Sequence, residues 1–226
     1  MNRIFFTLLL IIQVCFSYFT KDIKPVLQLI PPIPSKIETE ILSDTQFMFR
    51  KYAMDIQIAG DTFGQNTPLK DYNYKKLQKW FFLLDDLDEK SNFPPSIAAY
   101  YFSQTQNKPD VRYIVDYLVT HSEKNIEKNW WWMYQASYLA NSKLKDKQLA
   151  LEIAYKLNAV KGDIPIWARQ SAAFIHEELG EKEEAYLIMK AIADEYDDLS
   201  EGEQNFINYF IKERLEYLDI NSDIKK

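Results

Sequence analysis

Glycine and cysteine are scarce in this chain. Of 226 residues, five are glycine and one is cysteine. So little glycine argues against a fold built on tight hairpins and leaves no glycine-rich loop to cradle a phosphate. The single thiol, Cys15, excludes an intramolecular disulfide, a CxxC redox pair and a cysteine-based zinc site. Proline is absent after Pro165, so the C-terminal quarter has no residue that must break a helix. Basic surplus is missing too: the net charge is −6, and residues 176–204 hold eleven acidic residues against Lys182 and Lys190. Without a basic footprint to displace counterions from phosphates, the chain is not a nucleic-acid binder. A solvated helix face accounts for the acidic stretch.

What remains is strongly apolar and aromatic, at 47% and 15% of residues, enough to bury a sizeable core. Residues 1–19, "MNRIFFTLLLIIQVCFSYF", carry Arg3 and then sixteen uncharged residues. This is an export segment, and three fates are open to it: a cleaved signal peptide, an uncleaved membrane anchor, or a lipoprotein acylated at Cys15. All three place the rest of the chain outside the cytosol, in a bacterial periplasm or beyond. Residues 20–35 carry Pro25, Pro31, Pro32 and Pro34 and read as a stiff spacer. Residues 36–220 are helix-periodic throughout, and 221–226 form a tail. The first helical face is read as Ile41, Phe47, Phe49, Tyr52, Ile56 and Ile58, and Ser200 with Glu203 predicts a capping box for the last helix. No segment alternates with the period of a half-buried strand.

Repetition is the most informative pattern. A shift of 35 residues lays 132–157 on 167–192 with six identities in 26 positions. Trp132 meets Trp167, Gln135 meets Gln170, Leu144 meets Leu179, and Lys147, Ala150 and Ile153 meet Lys182, Ala185 and Ile188. A period near 34 with two helices per unit marks a helical array. On these residues "LGEKEEAYLIMKAIADEY" resembles a tetratricopeptide motif, with Gly180 at the interhelix turn, Ala185 at the close-packing position and Ala173 at a small-residue place. Unit 132–157 departs from it, with Lys145 in place of Gly180 and Tyr138 in place of Ala173. Residues 60–192 also resemble an uncharacterised set of bacterial envelope proteins, through "NTPLKDYNYKKLQKW", "LDEKSNFP", the tryptophan run and "GDIPIWARQ" before "FIHEEL". The resemblances imply an all-α, tetratricopeptide-like right-handed α-solenoid of about four helix pairs plus a C-terminal capping helix, placed in the envelope.

Catalytic chemistry finds little support. His121 closes a helix, and His176 sits in another without a Ser or Cys nucleophile motif. Two isolated histidines make no metal site, and no cofactor is called for. Asp85, Asp86 and Asp88 read as helix-end caps, and Glu181, Glu183 and Glu184 as first-turn acids suited to the dipole. An acid-dependent hydrolase of cell-wall glycan or peptide stays as an alternative, with Glu177, Glu178 and Glu181 as its best residues. A self-assembling structural subunit is the third reading. The leading one is a non-catalytic envelope scaffold that binds a protein or peptide on the concave face of the array. Tyr100, Tyr101, Trp131, Tyr134, Tyr138, Arg169 and His176 are its candidate contacts, because aromatic and Arg side chains anchor interfaces.

The run Trp130-Trp131-Trp132 sharpens this. Neighbours in a helix turn by about 100°, so three in a row cannot share one face. Trp132, matched by Trp167, is assigned to the core, and Trp130 to packing on the preceding pair, with Asn129 as N-cap. Trp131 alone lacks a structural role.

Overall fold

The computed structural model describes residues 2–20, 30, 32–34, 44–62, 65–196 and 199–215; the tail 221–226 and Ile41 lie outside them. Helix α1 (Asn2–Thr20) exposes every side chain from Phe5 to Phe19, so no described part of the folded body covers it. Among the described residues no helix is long and apolar enough to cross a membrane.

The folded body is all-helical apart from one minimal ribbon. Asp44 caps α2 (Thr45–Gln57) by accepting from the Phe47 amide, which sets the phase of the helix. Met48, Phe49, Tyr52, Ala53 and Ile56 therefore point inward, while Phe47 and Ile58, assigned to the same face, are exposed. Strands β1 (Asp61–Thr62) and β2 (Gln65–Asn66) pair antiparallel in the following loop, too short to leave an alternating pattern. Next come α3 (Tyr74–Leu87), capped by Asn73, and α4 (Phe93–Tyr100), whose first turn holds Pro94 and Pro95, where a missing N–H is harmless. Then α5 (Val111–Glu123), α6 (Ile126–Leu139) and α7 (Lys147–Asn158) follow. The chain closes with α8 (Ile166–Arg169), α9 (Ser171–Leu179), α10 (Lys182–Glu195) and α11 (Glu201–Tyr209). The expected capping box is present at α11, with the Ser200 and Glu203 side chains each taking the other's backbone N–H.

Neighbours in sequence are neighbours in space. Helix α2 packs on α3, α3 on α5, α5 on α6, α6 on α7, α7 on α9, α9 on α10 and α10 on α11. Close approach uses alanine: Ala136, Ala150, Ala154, Ala172, Ala173 and Ala185 are fully buried. One core runs from Ile30 to Ile175, and a second gathers Ala173, Ala185, Met189, Ile192, Ile207 and Phe210 under α11. Ile30, within the Pro-rich spacer, is part of this body. Ile30 is 3% exposed within the first core, and its carbonyl accepts from Lys76 Nζ at 2.6 Å. Burying one such side chain is worth about 1.5–3 kcal/mol, which ties Ile30 to α3.

The two matched units share a backbone feature that their residues conceal. Gly180 ends α9 in the left-handed region, at φ 80°, and Lys145 ends the first helix of the earlier unit in the same region, at φ 60°. A π-helical turn over Ala140–Leu144 leads into Lys145, and Asp146 then caps α7 through the Leu149 amide. The turn geometry is thus kept where the glycine is not. Left-handed backbone costs a residue with a side chain about 1–2 kcal/mol, and glycine gives back about 0.4–1 kcal/mol through unfolded-chain entropy. Lys145→Gly is therefore expected to stabilise the protein by about 0.5–1 kcal/mol. Urea denaturation checks this, and an equal loss of stability would contradict it.

Candidate partner-binding groove

Helix α6 begins earlier than its tryptophans suggest. Asn125 is the N-cap, its side chain accepting from the Lys128 amide. Asn129, expected to be that cap, lies inside the helix at a kink (φ −104°, ψ 17°), where its side-chain amide donates to the His121 carbonyl. Extra chain ahead of the kink reaches back to α5, which the capping rule alone does not reveal.

The three tryptophans separate as the 100° step requires. Trp132 is 7% exposed and its indole N–H donates to Asn92 Oδ1 at 3.0 Å, confirming its core assignment. Trp130 and Trp131 lie half-buried on the rim. Trp130 meets Trp167 edge-on at 5.3 Å and packs against the main core, so it also reaches toward the following unit. Trp131 donates from its indole to Tyr100 Oη at 2.7 Å and stacks on Tyr134 at 5.8 Å. Trp167 stands edge-on to Trp131 and Tyr134 at 6.1 and 5.0 Å, and at 41% exposure it is no core counterpart of Trp132. Helix α8 is only four residues long and breaks at Gln170, which leaves Trp167 at the edge, whereas α6 carries Trp132 a full turn deeper. Edge-to-face and offset pairs add about 0.5–1.5 kcal/mol each beyond area burial. The result is a continuous aromatic belt: Tyr100, Trp131, Tyr134, Trp167.

Beside the belt lies a groove of about 350 Å³, walled by Tyr134, Tyr138 and Phe174 and floored by Ser137, Ser142 and Ser171, with Lys145 on its edge. A smaller apolar slot of about 180 Å³ opens between Trp167, Phe174 and Phe206. Of the candidate contacts, Tyr134 and Tyr138 line the groove, and Tyr100 and Trp131 extend it as the belt. Burial raises the Tyr134 phenol, with Tyr138 adding to the shift. Tyr101 turns its ring onto Phe102 at 4.9 Å and stands apart from the belt.

Two candidates are overturned by burial. Arg169 is 1% exposed, and its guanidinium donates to the carbonyls of Val160 and Gly162 while lying over the Tyr196 ring. His176 is also buried: Nδ1 donates to Glu181 at 2.6 Å and Nε2 accepts from Tyr155 at 2.6 Å. Burial, then Glu181 and Glu184, raise the Tyr155 phenol. Both residues hold loops and helices together and present nothing to a partner.

The glutamates of the hydrolase alternative are engaged as well. Glu178 accepts from Lys147 and Asn141, clamping one unit to the next, and the Lys147 bond chiefly lowers its pKa. It is the one carboxylate among the groove's described lining residues and is held ionised, the wrong state for a general acid. Glu177 meets Arg214 at 2.6 Å, and Glu181 holds His176.

One polar cluster escapes a reading of local motifs. Asp85 does not cap a helix end: it is 1% exposed and accepts from Tyr117 Oη at 2.9 Å and His121 Nδ1 at 2.7 Å. His121 is buried with it and does not face solvent at the helix end. The signal was positional. Asp85 follows Leu77 and Phe81 along the apolar stripe of α3, and His121 follows Ile114 and Leu118 along that of α5. Among the described residues no group of three His, Cys, Asp or Glu is placed to hold a metal ion. No protein-family model matches this chain, and neither a curated protein nor a solved structure matches it.

Proposed function

We propose that this protein is a non-catalytic scaffold of the bacterial envelope that binds a protein or peptide along the belt and groove. The observation that carries the reading is the belt itself. Two tryptophans and two tyrosines from α4, α6 and α8 line one face, where packing alone would bury them. Large aromatic side chains that stay half-exposed at the rim of a groove are the usual anchors of an interface.

The serial packing of each helix on the next, and the shared left-handed turns at Lys145 and Gly180, support a tetratricopeptide-like right-handed solenoid of about four helix pairs with α11 as its cap. In such an array the first helices of successive pairs line one concave face, and the belt residues come from α4, α6 and α8. The exposed apolar side chains of α1 support a role as export segment, either cleaved or retained as an anchor. We read self-assembly and acid-dependent hydrolysis as the weaker alternatives.

A photo-crosslinking amino acid at Tyr138, introduced in cells, tests the scaffold reading. One discrete adduct is expected, and Trp131→Ala is expected to remove it. The same probe at Glu152, exposed on α7, is expected to give none. Equal adducts from both positions, or an adduct indifferent to Trp131→Ala, would overturn the reading. An adduct with a second copy of the chain would replace the scaffold with self-assembly.

A further inference from the structure

Resting on the groove reading above, we infer that its occupant is an extended acidic peptide, seated with an apolar side chain in the slot between Trp167 and Phe206 and a carboxylate at Lys145. The two subsites are contiguous, since Phe174 forms part of both. The slot has room for one branched aliphatic side chain, and its rings present apolar faces from both sides. Gly202 forms part of its wall, and a Cβ there would meet nothing within 4 Å, so the space is open from the α11 side.

The groove end of the path offers donors. Ser142 Oγ is buried without a hydrogen-bond partner, although its neighbours Asn141 and Lys147 are both bound to Glu178. A buried hydroxyl left unpaired costs about 1–3 kcal/mol, which an acceptor arriving with a ligand relieves. Lys145 is exposed, lines the same groove and makes no ion pair among the described residues, acting on Glu178 only at longer range; with Lys147 against Glu178 the lining keeps a net positive charge. It also occupies the left-handed turn position at which the next unit carries Gly180. A lysine there is held at a cost to stability, in a chain whose net charge is −6, and its ammonium stands beside the groove. An ammonium and a free hydroxyl next to an apolar slot select a segment with an apolar residue near an acidic one.

The test uses the full chain in detergent micelles, panned with a phage library of random dodecapeptides against bare micelles as control. Enriched sequences are expected to place an apolar residue within a few positions of Asp or Glu. A synthetic peptide of the enriched consensus is then measured by fluorescence polarisation. Gly202→Leu adds an aliphatic side chain to the α11 wall of the slot, where a Cβ meets nothing within 4 Å, and is expected to weaken binding at least 10-fold, on the scale of one buried aliphatic side chain. Lys145→Gly relieves the backbone and removes the charge, and is expected to weaken binding about 3-fold. That second loss is expected to vanish when the acidic residue of the peptide is replaced by its amide. A consensus peptide that responds to Trp131→Ala but to neither variant would overturn the two-subsite assignment and leave the groove reading standing. Enrichment no greater than on bare micelles, or binding indifferent to Trp131→Ala, would overturn both.

Discussion

Asp85→Ala is expected to destabilise the protein by about 3–5 kcal/mol, the range for removing one partner from a buried charged network. The carboxylate accepts from Tyr117 and His121, and Lys124 stands 3.7 Å away at the surface end. Truncation removes the only described acceptor of two buried donors and leaves a space between α3 and α5. The loss should exceed that of the triple change Asp85→Leu, Tyr117→Phe, His121→Leu, which removes donors and acceptor together. Urea denaturation of both variants decides this, and a triple variant less stable than Asp85→Ala would show that packing, not unpaired polarity, sets the cost. The network also imposes a pH limit. Burial, chiefly, and then the Asp85 charge raise the Tyr117 phenol well above 10, and burial raises Tyr74 to about 12. A raised phenol favours the neutral form in the folded state. Its contribution is therefore complete below pH 10 and is lost as the pH climbs through the folded-state values. Stability should fall from pH 10 upward, and Tyr117→Phe should flatten that decline. His121 carries the effect further, because its carbonyl accepts from Asn129 at the kink that launches the tryptophans.

Much of the architecture could be read from the sequence, and its failures share a cause. Helix existence, the Pro94-Pro95 opening, the Ser200 cap and the close-packing pair Ala150 and Ala185 follow from local chemistry and period. These features depend on a few neighbouring residues. The match of Trp132 with Trp167 is genuine in sequence, yet one is core and the other rim, because the break at Gln170 gives the second helix a different start. Tyr138 and Ala173 diverge likewise, one exposed and the other fully buried. Identity of position in a repeat fixes backbone conformation, as Lys145 and Gly180 demonstrate, before it fixes burial. The belt was legible in its composition, since all four of its members were among the named aromatic contacts or the paired tryptophans, but not in its geometry. Arg169 and His176 were misplaced for a related reason. Polar residues on a repeat's first helix look like interface residues until the loop they reach into is known.

Arg169 shows how much such a residue contributes, and Arg169→Ala is expected to cost about 3–4 kcal/mol, near the Asp85 effect. The guanidinium is buried and, among the described residues, no carboxylate reaches it; its partners are two backbone carbonyls in the loop after α7. A cation is well placed there, since the carbonyl end of a helix is the negative end of its dipole. The planar fork spans Val160 and Gly162 together and its face lies over Tyr196, so one side chain joins α8 to the α7 loop and the end of α10. Lysine offers a point charge in place of a fork and cannot satisfy both carbonyls in that plane. Arg169→Lys is accordingly expected to recover less than half of the loss. The consequence reaches the belt, because Trp167 is two residues away on the same four-residue helix. Loss of the fork frees α8, so tryptophan emission should shift to the red in the variant before global unfolding begins. A cost below about 1 kcal/mol, or an unshifted emission spectrum in the folded variant, would show that α8 is held by apolar packing alone.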